Sequence, residues 1–369
     1  MNRSRTRLAG TVVAAAALLT ALGAGVQAAD AAPVVPAQTP PAPFVIIMME
    51  NHGLHPVLND RTDMPYLNSL WRGGTSLDFT HYAALTHPSL PNYLGMASGF
   101  TQASSDAVHA GEFAGPTIWD QLTQAGVSWG IFEEGMPQTC SPLITYDDPV
   151  TGGQYLLRHD PGVPFGTVYQ SAECQQVTPL TALNYASLPA VSFITPNTCD
   201  DMHGLTAAQL ASTGFTNCLK ASDALEQRSD QWLSQIVPSL TAAGATVFIT
   251  FDECCAATLS PMYALETGPA VTPGSDGTSY SHYSVLAGIE NAYGLSLLGG
   301  AATANPSQIS RRRNTAPRAS SRTGSALPEA SQGAVCGLPG PPQTFLEADV
   351  HGWCRARRIQ PRHCYSACK

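Results

Sequence analysis

Two places in the 369-residue sequence present oxygen ligands directly after an apolar run. Glu50 and Asn51 follow the first such run, and Asp252 and Glu253 follow the last. Carboxylate and amide oxygens are the ligands that hard divalent cations prefer in proteins. The pattern therefore predicts a divalent metal site, whereas a single acid at a strand end is as often a plain surface residue.

A polar loop between these two places carries a candidate nucleophile. The loop reads Thr-His-Pro-Ser-Leu-Pro-Asn-Tyr over residues 86–93 and leads into an apolar segment. At the amino end of a helix, the dipole and the free amides favour an alkoxide and a bound phosphate oxygen. Ser89 is therefore the candidate nucleophile, and its alternative role is that of a helix cap. Thr86 is the nearby hydroxyl that competes for the role.

The elements that position these residues alternate along the chain as strands and helices. Apolar runs predict strands, and helical spacing of apolar residues predicts helices. We expect strands at 44–49, 128–132, 190–195 and 245–251, and helices at 66–71, 117–125 and 230–242. This order predicts an α/β fold with a doubly wound, mostly parallel sheet, helices on both faces and a site at the carboxyl ends of the strands.

The two ends of the sequence differ from this body. Residues 1–32 combine three arginines with an apolar, alanine-rich stretch, which predicts a secretory signal peptide; a retained membrane anchor is the alternative. A Pro/Ala-rich linker is expected at 33–43 and the main domain at 44–300. Residues 301–369 are basic and lack apolar periodicity, so we expect a disordered tail outside the enzyme.

Charge excludes one class of function. The segment 301–369 carries +7, from 10 Lys/Arg and 3 Asp/Glu, and residues 1–300 carry −16, from 8 basic and 24 acidic residues. An acidic body lacks the basic face that displaces counterions from nucleic-acid phosphates. We therefore expect no nucleic-acid partner, and an anionic substrate only with the help of a metal.

Export determines how the ten cysteines are interpreted. In an oxidising compartment cysteines form disulfides, and no Cys-x-x-Cys pair indicates a zinc ribbon. The spacing favours Cys140 with Cys174 and Cys199 with Cys218, although the sequence alone does not decide the pairing. The adjacent cysteines at 254–255 allow either a vicinal bridge or separate partners.

Five short motifs in a fixed order resemble a known family. They are Met-Glu-Asn-His at 49–52, the loop at 86–93, Phe-Ile-Thr-Pro-Asn at 193–197 with Asp-Asp-Met-His at 200–203, Thr-Phe-Asp-Glu at 250–253, and Ser-His-Tyr-Ser at 281–284. Together they are similar to the secreted acid phosphatases and phospholipase C-like phosphoesterases of the alkaline phosphatase superfamily, above all to the bacterial secreted acid phosphatases. The resemblance covers roughly residues 44–300.

The resemblance implies a secreted, metal-dependent acid phosphatase that hydrolyses phosphomonoesters, with a phosphoinositide or phospholipid headgroup among the small phosphorylated substrates. Position by position, it places the divalent metal at Glu50, Asn51, Ser89, Asp201, Asp252 and Glu253, with Ser89 as the phosphorylated nucleophile. His203 and His282 would face the phosphate either as ligands of a second metal or as cationic donors. Together with His87 or His159 they would donate to phosphate oxygens or protonate the leaving group. We expect structural roles for His52, His55 and His81.

Three other functions remain open at this point. A phosphodiesterase of the phospholipase C type shares the scaffold, and a sulfatase-like enzyme would use the same metal site. A non-catalytic metal-binding protein is the third, and the complete motif around Ser89 disfavours it. One departure from the family is local, because related chains continue after the acidic pair with acids or glycine, whereas this chain has cysteines at 254–255.

Overall fold

The computed structural model describes residues 42–254 and 261–307. The predicted signal peptide at 1–32, most of the linker at 33–43, Cys255 and the predicted tail beyond residue 307 lie outside these residues. Within the described ranges, no helix has the length and apolar character needed to cross a bilayer.

The strands of the described chain form one sheet of eight and a separate pair. They are β1 (Phe44–Met49), β2 (Ser76–Ala83), β3 (Trp129–Glu133), β4 (Thr145–Asp148), β5 (Gly153–Leu156), β6 (Val177–Pro179), β7 (Val191–Thr195), β8 (Thr246–Phe251), β9 (Ala264–Thr267) and β10 (Gly274–Ser281). The strand order in the large sheet is β10-β2-β9-β8-β1-β7-β3-β6, and β4 pairs with β5. β9 is antiparallel to β2 and β8, and the other neighbours are parallel. The predicted mostly parallel sheet is confirmed.

Helices connect the strands. They are α1 (Leu54–Asn59), α2 (Pro65–Leu70), α3 (Ser89–Ser98), α4 (Ile118–Gln124), α5 (Gly166–Tyr169), α6 (Ala207–Thr213), α7 (Asp223–Ala242) and α8 (His282–Tyr293). Short 3-10 turns lie at Leu157–His159, Ala172–Gln176, Leu180–Ala182 and Gly299–Thr303.

Helices cover both faces of the sheet, as its central strand shows. Successive side chains of a strand point to opposite faces. Phe44, Ile46 and Met48 of β1 pack in one core cluster with residues of α3, α4 and α8. Val45 and Ile47 pack in a second cluster with residues of α1, α2 and α7. The six apolar residues of β1 are therefore buried throughout, which explains the uninterrupted apolar run in the sequence.

The four predicted strands and the helix at 117–125 are present within one residue of their expected ends. The helix expected at 230–242 begins earlier, at Asp223, after a Ser222 side-chain cap. Its first turns contain mostly charged and polar residues, so apolar periodicity does not reveal them. β10 is also missing from the prediction, because this edge strand is mostly exposed and rich in glycine and serine.

Packing continues past the predicted domain boundary at residue 300. Ala301 is buried, and the Ser307 N–H donates to the Ser284 carbonyl of α8 at 2.9 Å. The Asn305 side chain donates to the Ser279 carbonyl of β10 at 3.1 Å. The segment up to residue 307 thus belongs with the folded body.

Both predicted disulfides are confirmed. Cys140 is bonded to Cys174, and Cys199 is bonded to Cys218. The second bond joins the segment that follows β7 to the loop before α7, where both cysteines are buried with Leu205 in a small apolar cluster.

Candidate active site

Three buried acids meet where the central strands end. Glu50 follows β1 and Asp252 follows β8, and the parallel register pairs Met49 with Phe251 immediately before them. The Asp252 N–H donates to the Met49 carbonyl at 2.9 Å. The Glu50 N–H donates at 2.7 Å to the carbonyl of Asp201, in the turn after β7. Backbone hydrogen bonds therefore bring Glu50, Asp201 and Asp252 together at the carboxyl ends of the central strands.

The Ser89 hydroxyl points at these acids. Ser89 is the first residue of α3, whose N-cap is Pro88 and which has no side-chain cap. Ser89 Oγ donates to Glu50 Oε2 at 3.0 Å. The Thr86 hydroxyl donates instead to the neighbouring His87 carbonyl at 3.3 Å. The serine hydroxyl is thus part of the site and does not cap the helix, whereas the threonine hydroxyl bonds within its own loop.

Asn51 joins two of the acids. Its φ of 59° lies in the left-handed region, which asparagine tolerates better than most residues. In this conformation its backbone N–H donates to Asp252 Oδ1 at 3.0 Å, and its side-chain amide donates to Glu50 Oε2 at 2.9 Å. Asn51 therefore holds both carboxyl groups in a fixed relation.

The described residues do not supply enough positive charge to keep the three acids ionised at neutral pH. Burial raises the pKa of Glu50 and of Asp201 well above its ordinary value, and neighbouring carboxylates add to each rise. Burial raises the pKa of Asp252 to about 7, against the hydrogen bond from Asn51. Within the described residues, Asp201 Oδ2 and Asp252 Oδ2 have no hydrogen-bond partner. A hard divalent cation would supply the missing positive charge, so this donor set fits one.

Two histidines lie beside the same acids. His159 Nε2 is 3.3 Å from Glu50 Oε1, and His159 Nδ1 is 3.5 Å from Asp201 Oδ2. Burial lowers the pKa of His159 well below its ordinary value, so the ring is neutral and able to act as a metal ligand. The His203 backbone N–H donates to Asp201 Oδ1 at 2.6 Å. Glu50, His159 and His203 offer ligand atoms within 4.8 Å of one another, and a cation bound there would compete with Arg158 for His203 Nε2.

Arg158 is a cationic residue of the site that the sequence reasoning missed. Its guanidinium donates to His203 Nε2 at 3.2 Å, and its Nε lies 4.0 Å from Asp106 Oδ2. Because arginine only donates, His203 accepts at Nε2 and carries its proton on Nδ1, which donates to the Gly204 carbonyl at 2.8 Å. The position of Arg158 directly before His159 is the one signal that could have identified it.

His282, which the resemblance places at the phosphate, lies behind the acids in this structure. Its Nε2 donates to the Asp252 carbonyl at 2.6 Å, and its Nδ1 accepts from the Tyr82 hydroxyl at 2.8 Å. Both ring nitrogens are therefore occupied. Burial lowers the pKa of His282 to about 4, which keeps the ring neutral. The contact fixes the backbone that carries Asp252.

His52 has the structural role expected for it. Its Nδ1 donates to the Glu50 carbonyl at 3.0 Å, and its Nε2 lies 3.1 Å from Glu226 Oε1 of α7. His52 thus donates to the backbone carbonyl of Glu50, as His282 donates to that of Asp252.

His87 and Glu253 form a pair of their own. His87 Nδ1 contacts Glu253 Oε2, and the His87 side chain is about a third exposed. Glu253 was expected to share the metal with Asp252. Consecutive residues leaving a strand point in different directions, so the structure directs Glu253 to His87 and Asp252 to the buried acids.

Comparison with known proteins identifies the family. A sequence model described as the Phosphoesterase family matches residues 57–253, more than half of the chain. The phosphatidylinositol-3-phosphatase of Mycobacterium tuberculosis is 29% identical, over 80% of this chain and 90% of its own length. The phosphate-repressible acid phosphatase of Penicillium chrysogenum is 30% identical over 69% of this chain, which spans only 60% of the Penicillium protein.

Among solved structures, a protein in the alkaline phosphatase superfamily from Vibrio parahaemolyticus matches with a TM-score of 0.44 at 12% identity, over 70% of this chain and 67% of that protein. The extent of the family match is decisive. The chain belongs to the phosphoesterase family, and it is a phosphoric ester hydrolase.

Proposed function

We propose that this phosphoesterase is a secreted, metal-dependent acid phosphatase that hydrolyses phosphomonoesters through a phosphoserine at Ser89. The observation that carries the proposal is the hydrogen bond from Ser89 Oγ to Glu50 Oε2 at 3.0 Å, at the start of α3. The two relatives named as phosphatases support the same reaction class.

The metal would be held by the carboxylates of Glu50, Asp201 and Asp252, with Asn51 and Ser89 beside them. The bound cation would favour the serine alkoxide and neutralise charge on the phosphate. The unpartnered oxygens of Asp201 and Asp252 support this assignment.

The reaction proceeds in two steps. Ser89 Oγ attacks phosphorus in line, the new O–P bond forms, and the bond to the leaving alcohol breaks. Glu50 Oε2 accepts the hydrogen bond from Oγ, so the serine proton is directed away from the attacking lone pair. The positive end of the α3 dipole favours the developing negative charge. Water then hydrolyses the phosphoserine and releases phosphate.

Two side chains near the mouth of the site are suited to assist. Arg158 is partly exposed and carries guanidinium donors for the non-bridging phosphate oxygens. His87 is a candidate to protonate the leaving alcohol, because Glu253 holds its Nδ1 and, among the described residues, its buried Nε2 has no hydrogen-bond partner. His159 is less suited to that role, since burial holds it neutral.

The substrate is a small phosphorylated alcohol. One relative is named for a phosphatidylinositol phosphate, so a phosphoinositide headgroup belongs among the substrates to test. Secretion is supported by the basic and apolar pattern of residues 1–32 and by the two disulfides, which form in oxidising compartments.

Turnover of p-nitrophenyl phosphate against bis(p-nitrophenyl) phosphate at mildly acidic pH tests the proposal, with metal content measured on the same sample. We expect the monoester to be hydrolysed faster, and chelation to abolish turnover while the circular dichroism spectrum is unchanged. Preference for the diester would assign the protein to the phosphodiesterases. Full turnover in metal-free protein would contradict the metal requirement.

A further inference from the structure

We propose that Tyr93 is a positioning residue for phosphoryl transfer, which orients the Glu50 carboxylate toward Ser89 and holds the His159 ring beside it. The inference rests on the proposed function and names a residue whose part in it the motifs do not reveal.

Tyr93 and Ser89 contact the two oxygens of one carboxylate. The Tyr93 hydroxyl donates to Glu50 Oε1 at 2.7 Å, and the Ser89 hydroxyl donates to Glu50 Oε2 at 3.0 Å. The two residues are four positions apart in α3 and therefore lie on the same face, one turn from each other. A single helix thus supplies one hydroxyl to each oxygen of Glu50.

This second contact matters because the last torsion of a glutamate side chain is broad and has no sharp minimum. The Ser89 hydroxyl and the Asn51 amide both donate to Oε2, so without Tyr93 these two hydrogen bonds would hold the carboxylate at that oxygen alone. With Oε1 also held, the carboxylate plane is fixed, and Oε2 stays directed at the Ser89 hydroxyl. The Tyr93 hydroxyl is buried, and Glu50 Oε1 accepts its hydrogen bond.

Tyr93 also packs against His159 and holds its ring in position. The two rings are nearly parallel, with 9° between their planes and 5.4 Å between their centroids. His159 Nε2 lies 3.3 Å from Glu50 Oε1, the same oxygen that the Tyr93 hydroxyl contacts. The phenol ring packs in turn against Phe193 of β7, at 6.2 Å between centroids, so the arrangement is anchored to the sheet.

The variant Tyr93→Phe tests the proposal, since it keeps the ring stacked on His159 and removes only the hydroxyl. We expect kcat on p-nitrophenyl phosphate to fall about tenfold with KM within about twofold, the order expected for one lost hydrogen bond to a carboxylate. Mn²⁺ affinity, measured by calorimetry on metal-free protein, should fall by a similar factor. The variant Tyr93→Leu should lose more, because it also removes the support of His159.

Tyr263→Phe is the matched control, because it removes another buried tyrosine hydroxyl, one that donates to the Leu67 carbonyl at 2.8 Å on the other face of the sheet. It should leave kcat and Mn²⁺ affinity unchanged. An active wild type with the same kcat and Mn²⁺ affinity in Tyr93→Phe would overturn the positioning role alone. A wild type that binds Mn²⁺ but hydrolyses no monoester would overturn the proposed function, and weaker binding by Tyr93→Phe would still support the positioning role. A wild type that does neither would overturn both.

Discussion

At the residue scale, the proposed cation site involves the buried acids and not every acid in the motifs. Asp252 belongs to the buried group with Glu50, whereas Glu253 contacts His87. The variants Asp252→Ala and Glu253→Ala therefore remove acids with different partners, although the two residues are adjacent in the sequence.

We expect Asp252→Ala to weaken Mn²⁺ binding by about a hundredfold or more and to abolish turnover, because a hard cation with few oxygen ligands does not readily lose one. Glu253→Ala should keep most of the Mn²⁺ affinity and lose turnover only in part, through His87. Calorimetric titration of both metal-free variants measures the difference. Equal losses of Mn²⁺ affinity in the two variants would show that Glu253 contributes as much to metal binding as Asp252.

The residue types of the site can largely be predicted, but their directions cannot. Glu50, Ser89 and Asp252 stand at the ends of apolar runs or at the entry to a helix, where sequence patterns are informative. The roles of Tyr93 and His282 depend on which helix face and which neighbouring strand surround the ring. That information comes from tertiary packing and leaves no periodic signal.

At the element scale, β9 combines an unusual direction with a buried acid. It lies antiparallel between β2 and β8, and it carries Glu266 in the interior. Within the described residues, neither carboxyl oxygen of Glu266 has a hydrogen-bond partner. Burial alone raises the pKa of Glu266 to about 8. The strand therefore holds a protonated acid at neutral pH.

This acid predicts a pH dependence of stability. Its ordinary pKa is 4.5, so between that value and about 8 the folded protein keeps a proton that the unfolded chain releases. The stabilisation is complete below pH 4.5 and is lost as pH rises through 8, with a slope of up to about 1.4 kcal/mol per pH unit. The variant Glu266→Gln should lack this contribution, which urea unfolding at a series of pH values measures.

Exposed Glu112 provides the control, since Glu112→Gln should leave the pH slope as it is in the wild type. The comparison concerns slopes, so a constant cost of burying the amide does not affect it. Identical slopes in Glu266→Gln and the wild type would contradict the assignment of a buried, protonated acid.

A strand can be predicted from the sequence where it is long and buried on both faces. β1 and β8 are buried on both sides and appear as continuous apolar runs. β10 and the start of α7 are exposed, so their residues carry too little apolar periodicity to be detected. Short strands also escape prediction where they are buried, as β9 does, because four residues carry too little pattern to be recognised.

At the scale of the whole molecule, the packed structure continues past residue 300, through the last described residue, Ser307. The family resemblance in the sequence ends near residue 300, which places the predicted boundary there. The buried Ala301 and the hydrogen bond from Ser307 to α8 lie beyond it. Residues of the segment 301–307 thus pack on the domain, although they lie beyond the predicted boundary.

Two truncated proteins test whether residues 301–307 contribute to the stability of the domain. A chain ending after Ser307 should keep the wild-type melting temperature and kcat, since residues 308–369 lack the apolar periodicity of a core. A chain ending after Gly300 should lose about 2 kcal/mol of stability, from the buried alanine and the lost hydrogen bonds. Thermal unfolding of both proteins measures this, and equal melting temperatures for the two truncations would place the boundary at residue 300 after all.

The central claim is that Ser89 becomes phosphorylated during turnover, and one measurement tests it most directly. Wild type, Ser89→Ala and the matched control Thr86→Ala are mixed with a phosphomonoester, quenched in acid, and mapped by mass spectrometry. We expect phosphate on Ser89 in the wild type and in Thr86→Ala. We expect none in Ser89→Ala, with turnover lowered by several orders of magnitude and the fold intact. Phosphate on Thr86, or full turnover by Ser89→Ala, would contradict the claim.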